Sequence, residues 1–189
     1  MPYFKILRFI FSSDISNLIK FWEVELLNKK CKFSWYQIYR HYRKAKDSNN
    51  LNSTFWFWWR LADNMYSDTK SFSRKAARKI QRKLISEYNI EIMLGAKIGV
   101  NPFIQHFTGI VISNKANIGD NMVIRQCVTI GVRKTDNHSG TIHIGKNVRI
   151  GANSCIIGDS INIGDNVIIG AMSFVNKNIP ANTIFYKKH

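Results

Sequence analysis

An apolar residue recurs every six positions through the second half of the chain, and this repeat limits the possible folds more than any other feature. The repeat forms four runs, namely Ile98, Ile104; Ile112, Ile118, Ile124, Ile130; Ile144, Ile150, Ile156; and Ile163, Ile169, Val175. Glycine often follows the apolar residue, and a small or apolar residue often stands four positions after it. An α-helix repeats every 3.6 residues and a β-strand every 2, so neither alone produces this period.

A stack of coils built from short parallel strands explains a period of six. Each isoleucine would point towards the coil axis and lie on the isoleucine of the next coil. The corner sequences Gly-Asp-Asn and Gly-Lys-Asn at 119–121, 164–166 and 145–147 contain residues that tolerate positive φ. Because the coils share one core, no single coil is stable alone. The sequence therefore predicts a left-handed parallel β-helix of the hexapeptide-repeat type over residues 89–180.

The first half of the chain has a different composition, which indicates a second architecture. All five tryptophans precede residue 60, and residues 1–88 contain 18 basic and 7 acidic residues. Ala76, Ile80 and Leu84 recur every four residues behind Ser73, which predicts a basic amphipathic helix that begins at a Ser73 cap. We expect the tryptophans to lie in a core or a subunit contact. The predicted fold class is α+β, with a helical region over 1–88, the β-helix, and a tail over 181–189.

Composition excludes several classes of protein. The chain has 189 residues and a formal net charge of +16, and no apolar run approaches the ~18 residues that span a bilayer. Its start has charges within the apolar stretch and no small-residue cleavage site, so we expect no secretory signal. The three cysteines, Cys31, Cys127 and Cys155, are too few and too widely spaced for a disulfide framework. These features favour a cytoplasmic location.

Two interruptions of the repeat mark candidate functional segments. Residues 109–111 shift the phase of the repeat by two, next to His106. The interval from Ile130 to Ile144 is fourteen residues instead of six, which predicts a protruding loop over residues 131–143. Loops held on a rigid scaffold often carry function.

Several motifs resemble the serine acetyltransferase family. They are Glu91-Ile92 with Gly95-Ala96-Lys97-Ile98-Gly99, Phe103-Ile104-Gln105-His106-Phe107-Thr108-Gly109, Val128-Thr129-Ile130-Gly131, Ile150-Gly151-Ala152-Asn153 and Ile169-Gly170-Ala171-Met172-Ser173. The resemblance covers about residues 55–183 and looks closest to the shorter relatives that acetylate exopolysaccharide sugars, as in colanic acid or capsule synthesis. It implies acetyl-CoA as co-substrate, a homotrimer or dimer of trimers, and active sites between neighbouring subunits.

The resemblance also implies roles for individual residues. His106 matches the general base of the family, and Glu91 matches the carboxylate that orients it. An imidazole suits this role near neutral pH, and the acceptor hydroxyl is the nucleophile, so no enzyme serine or cysteine is needed. The residues expected to bind the cofactor are Ala152, Ala171, Gly131 and Lys187. The residues expected to contact the substrate are Gln105, His138 and His143.

Two departures from the family bear on the acceptor. Gln105 replaces the aspartate before the histidine, and Gly140-Thr141-Ile142-His143 stands where the serine enzymes carry an Arg-His pair. A serine site needs charged partners for a carboxylate and an ammonium group. We therefore predict a sugar hydroxyl of a capsule, O-antigen or exopolysaccharide as the acceptor. Serine remains the alternative within the same chemistry, and a non-catalytic β-helix that serves as a binding or assembly module is the alternative from another class.

The histidines and the net charge leave further alternatives to weigh. His138 and His143 form a His-x4-His pair, but a zinc site would need His106 as third ligand, so we expect no metal. The basic surface could bind nucleic acid, anionic lipid or the phosphates of CoA. No nucleic-acid-binding motif is present, so no nucleic acid partner is expected. Peripheral association with the inner face of the membrane is kept open.

Overall fold

Every strand pairing in the computed structural model is parallel, and strands that pair are almost always three places apart in the chain. The structure describes residues 3–28, 31–133 and 140–186. The chain divides between Tyr88 and Asn89 into two compact units. The first unit is helical and the second contains the paired strands.

The helical unit contains five helices in its described residues. They are α1 (Tyr3–Ser12), α2 (Ser16–Glu25), α3 (Trp35–Asp47), α4 (Leu51–Ser67) and α5 (Ser71–Tyr88). Side chains cap the start of two of them. The Ser34 hydroxyl accepts a hydrogen bond from the backbone N–H of Gln37, and Asn50 Oδ1 accepts one from Ser53. Such caps satisfy N–H groups that have no partner within a helix.

The core of the helical unit is aromatic. Trp22, Trp56 and Trp59 are each at most 2% exposed, which confirms the prediction of a core role for these three tryptophans. Arg60 is buried beside them and pairs with the buried Glu25 at 2.7 Å. Removing either partner would leave an uncompensated buried charge, which is strongly destabilising.

Helix α5 buries the predicted stripe at Ala76, Ile80 and Leu84. The predicted N-cap is wrong, because the helix begins at Ser71 and Ser73 is fully buried in its first turn. The Ser73 hydroxyl donates a 2.8 Å hydrogen bond to the carboxylate of Asp68. A polar side chain therefore joins the start of α5 to the segment before it.

Fourteen short strands make up the second unit in its described residues. They are β1 (Ile90–Ile92), β2 (Lys97–Ile98), β3 (Phe103–Ile104), β4 (Ile110–Ile112), β5 (Ala116–Ile118), β6 (Val123–Ile124), β7 (Thr129–Gly131), β8 (Ile142–Ile144), β9 (Arg149–Ile150), β10 (Cys155–Ile157), β11 (Ile161–Ile163), β12 (Ile168–Ile169), β13 (Phe174–Val175) and β14 (Ile184–Phe185).

Each coil passes through three sheets in turn, which we call sheets A, B and C. Sheet A has the order β1-β4-β7-β10-β13, sheet B the order β2-β5-β8-β11, and sheet C the order β3-β6-β9-β12-β14. The register places the repeat isoleucines on one another, as in Ile98 on Ile118 and Ile118 on Ile144. All three are at most 5% exposed. The topology is that of a left-handed parallel β-helix and confirms the predicted fold class.

A ladder of asparagines follows the corner between sheets B and C. Each member has a positive φ of 57–58°, and each side-chain amide except the last donates a 3.0 Å hydrogen bond to the asparagine of the next coil. The ladder consists of Asn101, Asn121, Asn147, Asn166 and Asn182. Asparagine suits these positions because it tolerates the left-handed conformation better than most residues.

In the predicted corners the asparagines, and not the glycines, adopt positive φ. Gly119 and Gly145 do not have positive φ; the asparagines two residues later do. A Cβ on Gly119 would lie only 2.8 Å from the carbonyl carbon of Gly145 in the next coil. Glycine is needed there because successive coils approach too closely for a side chain.

Two predicted boundaries also change. Strand β14 pairs with β12, so the β-helix extends to Phe185 and does not end at residue 180. Gly131 belongs to β7 and Ile142 begins β8, so the segment that connects these strands spans 132–141 and not the predicted 131–143. Residues 134–139, with His138, lie outside the described residues, and so do residues 187–189.

Candidate functional site

The corner that carries His106 contains two more residues than the corner below it. Ile104 pairs with Ile124, and Val111 pairs with Thr129. The interval from Ile104 to Val111 is therefore seven residues, whereas the interval from Ile124 to Thr129 in the next coil is five. The extra residues push the corner outwards between sheets C and A, and His106 is exposed. This confirms the two-residue phase shift that was inferred from the repeat.

Backbone hydrogen bonds fix this bulge between the coils on either side. Gly109 N donates to the carbonyl of Asn89 in the coil above, and Cys127 N donates to that of Thr108 from the coil below, each at 2.8 Å. The bulge itself is tight, since Thr108 N donates to the carbonyl of His106 at 3.1 Å. An exposed His106 side chain is therefore presented on a fixed backbone.

Glu91 lies on the coil above, two residues after Asn89. It is on the exposed face of β1 and pairs in register with Val111. The hydrogen bond from Gly109 to Asn89 thus joins the corner that carries His106 to the strand that carries Glu91. Among the described residues no hydrogen bond joins their side chains, and the orienting role of Glu91 stays a prediction.

Gln105 is bound to an arginine that sequence reasoning did not include. Arg125 Nε donates a 2.8 Å hydrogen bond to Gln105 Oε1, one position before His106. The two residues are twenty apart in the chain and adjacent in the coil stack. The predicted substrate contact of Gln105 is therefore an incomplete description of this residue. Its carbonyl oxygen binds a guanidinium group beside the candidate base. The separation of twenty residues, one coil, was the available signal.

A groove of about 430 Å³ opens beside this pair on sheet C. Its other lining residues include Arg149, Gly151, Gly170 and Ala171. Ala171 was predicted to bind the cofactor, so one predicted cofactor residue shares the groove with Gln105. Ala152 lies next to Gly151 at the same corner and is half-buried.

Gly131 has no steric reason to be glycine within this subunit. A Cβ added at Gly131 would meet no atom within 4 Å, whereas one added at Gly119 or Gly99 would collide with the next coil. The open space beside the backbone of Gly131 fits the predicted approach of a cofactor there. Lys187, the remaining predicted cofactor residue, lies outside the described residues.

His143 does not lie with His106. It is on β8 in sheet B, across the coil from the corner between sheets C and A. Its ring nitrogens contact Asn117 Nδ2 at 3.3 Å and Thr141 Oγ1 at 2.9 Å. The predicted substrate contact therefore does not form at the His106 corner of the same subunit, and His138 lies outside the described residues.

Within the stretch 140–143, which stands where the serine enzymes carry an Arg-His pair according to the resemblance, position 140 accepts only glycine. A Cβ at Gly140 would collide with the backbone nitrogen of Ser160, which sits in a bulge of the next coil with φ of 62°. A longer side chain cannot be placed at position 140 without moving one of the two coils. The described residues contain no cluster of three or more His, Cys, Asp or Glu side chains that could hold a metal ion. The helices within the described ranges also lack the combined length and hydropathy of a membrane span.

Comparisons with known proteins agree with this geometry. Residues 141–177 match a family model described as the hexapeptide repeat of succinyl-transferase. Serine acetyltransferase 1, chloroplastic, of Arabidopsis thaliana is 40% identical over 126 residues, which are 66% of this chain and 38% of that protein.

Two solved structures of serine acetyltransferases superimpose on this chain. The protein from Brucella abortus strain S19 does so with a TM-score of 0.58 and 30% identity, over 67% of this chain and 49% of that one. A serine acetyltransferase in complex with CoA gives a TM-score of 0.57 and 27% identity, over 69% and 51%. The chain thus spans about two fifths to one half of the length of these relatives.

Proposed function

We propose that this chain, which matches a hexapeptide-repeat family model over residues 141–177 and is similar to serine acetyltransferases, transfers an acetyl group from acetyl-CoA to a hydroxyl group of an acceptor. One observation carries the proposal: the only corner that gains two residues between sheets C and A, among those described, is the one that projects His106. The open space at Gly131 and the small residues at Ala152 and Ala171 supply room for a thioester arm.

In the proposed reaction His106 acts as general base. Its imidazole accepts the proton of the acceptor hydroxyl while the oxygen attacks the thioester carbonyl carbon. The carbon–sulfur bond then breaks and CoA leaves as a thiolate, which takes up a proton. Glu91 acts as a positioning residue that holds the imidazole in one tautomer and stabilises its charged form, as a carboxylate does in a catalytic triad. A backbone N–H near Gly131 stabilises the charge on the carbonyl oxygen.

We propose two candidate acceptors, L-serine and a sugar hydroxyl. The relatives named in the comparisons are serine acetyltransferases, and they favour L-serine over the predicted sugar hydroxyl. A specific observation supports a sugar of a capsule or exopolysaccharide as the second candidate. The stretch Gly140-Thr141-Ile142-His143 stands where the serine enzymes carry an Arg-His pair, according to the resemblance, and position 140 in it has no space for a side chain.

We also propose an assembly and a location. A trimer, or a dimer of trimers, would complete each site with residues of a neighbouring subunit, and light scattering in solution tests this. Phe4 and Phe11 on α1 are 80% and 82% exposed and flank the basic residues Lys5 and Arg8, which supports peripheral contact with an anionic membrane surface. Sedimentation with vesicles that contain anionic lipid tests the contact.

Thiol release from acetyl-CoA tests the activity and separates the acceptors. The full chain is supplied with acetyl-CoA and either L-serine or a deacetylated polysaccharide, and free CoA thiol is titrated over time. Saturable turnover with either acceptor supports O-acetyl transfer, and the better acceptor decides between the two candidates. Absence of acetyl-CoA binding, measured by calorimetry, would instead favour a non-catalytic binding module.

A further inference from the structure

The groove beside His106 forms where one column of stacked positions changes from long side chains to glycines. Successive coils place Gln105, Arg125, Gly151 and Gly170 above one another, as the backbone hydrogen bonds of this column show. Gln105 and Arg125 fill the upper part, and the two glycines leave the lower part open. A Cβ on Gly151 would collide with the backbone nitrogen of Ala171, so the opening is built into the stacking of the coils.

The walls of this groove are cationic. Arg125 and Arg149 are both exposed, and the residues that line the groove include no aspartate or glutamate. Within the described residues Arg125 uses only Nε, towards Gln105, and no hydrogen bond or ion pair occupies its terminal nitrogens or the guanidinium of Arg149. Ile168, 41% exposed, provides an apolar wall between the strands. Two unneutralised guanidinium groups thus converge on one open space.

From this arrangement we infer that Arg125 and Arg149 bind a carboxylate or phosphate group carried by the acceptor, and that Gln105 positions Arg125 for it. Guanidinium groups bind such anions through paired, charge-assisted hydrogen bonds, and fixing one nitrogen orients the rest of the fork. Since Gln105 adjoins His106, an anion held here places a hydroxyl of the same molecule near the base. The inference rests on the proposed function and specifies its acceptor as a hydroxyl compound that carries an anionic group.

Matched acceptors that differ only in charge test the inference. L-Serine is compared with L-serinamide, and D-glucuronate with its methyl ester, by kcat/KM for thiol release. We expect the wild type to prefer the charged member of the pair that it acetylates. Arg125→Gln should reduce that preference about 10- to 100-fold, mainly through KM, and Arg125→Lys should retain part of it. Lys97→Gln, an exposed basic residue in sheet B, is the matched control and should retain the preference.

A positioning role for Gln105 makes a separate prediction. Gln105→Leu removes the oxygen that accepts from Arg125 and leaves the charge in place. It should raise KM for the charged acceptor more than KM for the neutral acceptor. An equal loss for both members of the pair would mean that Gln105 supports the bulge and not Arg125. An unchanged preference in Arg125→Gln would overturn the anion site.

A labelling experiment keeps the inference testable if none of these acceptors is acetylated. Phenylglyoxal modifies exposed arginines, and mass spectrometry of peptides reports the extent at Arg125 and Arg149. With the protein saturated with CoA, glucuronate should protect both residues at concentrations where its methyl ester does not. Protection by CoA alone, with no further effect of glucuronate or serine, would assign the arginines to the phosphates of the nucleotide and refute the acceptor assignment. Failure of the proposed function appears separately, as absence of thiol release with every acceptor.

Discussion

Gly109 donates a 2.8 Å hydrogen bond to the carbonyl of Asn89, and this contact ties the bulge that projects His106 to the strand that carries Glu91. Asn89 lies two residues before Glu91, and Gly109 three residues after His106. Both ends are backbone groups, so the contact survives substitution of either side chain. The two candidate catalytic positions can therefore be tested by mutation without dismantling their corner.

Replacement of the candidate base should abolish most activity and leave the fold intact. His106 is exposed, so His106→Ala removes no core contact. We expect kcat to fall by about 10²- to 10⁴-fold, the usual contribution of a general base, with acetyl-CoA binding retained. Thiol titration measures turnover and calorimetry measures binding. His41→Ala in the helical unit is the control, and near-normal turnover of His106→Ala would disprove the assignment.

Glu91→Gln should cost less than loss of the base, about 10- to 1,000-fold in kcat, because it removes an orienting charge and not the proton acceptor. The double variant with His106→Ala should lose no more activity than His106→Ala alone, since the carboxylate acts through the imidazole. Additive losses in this cycle would show that Glu91 acts elsewhere. Glu87→Gln, an exposed glutamate in α5, serves as the control.

Two glycines in the same β-helix should respond oppositely to the same substitution. Gly131→Ala adds a methyl group to open space and should leave the melting temperature unchanged while it weakens acetyl-CoA binding. Gly140→Ala drives a methyl group into the backbone of Ser160 and should destabilise the protein by about 1–3 kcal/mol, as overpacking does. Thermal denaturation and calorimetry on both variants check the pair. Equal destabilisation would contradict the difference in packing.

The asparagine ladder allows its two contributions to be separated at Asn147. Asn147→Ala forces a less tolerant residue into φ of 58° and removes two side-chain hydrogen bonds, for a cost of about 1–2 kcal/mol from the backbone alone. Asn147→Gly removes the same hydrogen bonds, but glycine adopts the positive-φ conformation without strain. Urea denaturation should rank the wild type above the glycine variant and the glycine variant above the alanine variant. Equal stability of the two variants would show that φ at this corner is unimportant.

Acid should weaken the helical unit partly through Asp68. Partial burial opposes its charged form, but hydrogen bonds from Ser73, the backbone of Lys70 and Ser13 outweigh burial and lower the pKa of Asp68 below its ordinary 3.8. Its contribution is therefore present above about pH 4 and is lost as pH falls through the lowered value. Asp68→Asn should melt lower at pH 7 and change less on acidification than the wild type, by circular dichroism. Asp47→Asn, at the end of α3, should follow the wild type in its acid dependence.

The positions of the repeat isoleucines in the core could be predicted from the sequence, because their six-residue spacing gives the period of the coil. The two-residue bulge at His106 was visible for the same reason. The Gln105–Arg125 contact was missed although the two residues are one coil of twenty residues apart, because spacing places them in one column but does not show that their exposed side chains bond. The separate roles of Gly119 and Asn121 were not predictable, because spacing reveals that a corner exists but not which of its residues adopts positive φ.

Regular stacked coils could pair with one another in more than one register, and the irregular corners select one register. A chain displaced by one whole coil would still place isoleucine on isoleucine and asparagine on asparagine, so the ladder alone does not distinguish correct from slipped stacking. The extra residues at His106 and the segment 132–141 each fit only one coil. The residues that interrupt the repeat near the candidate site thus also distinguish one coil from another, and they favour a single stacking register.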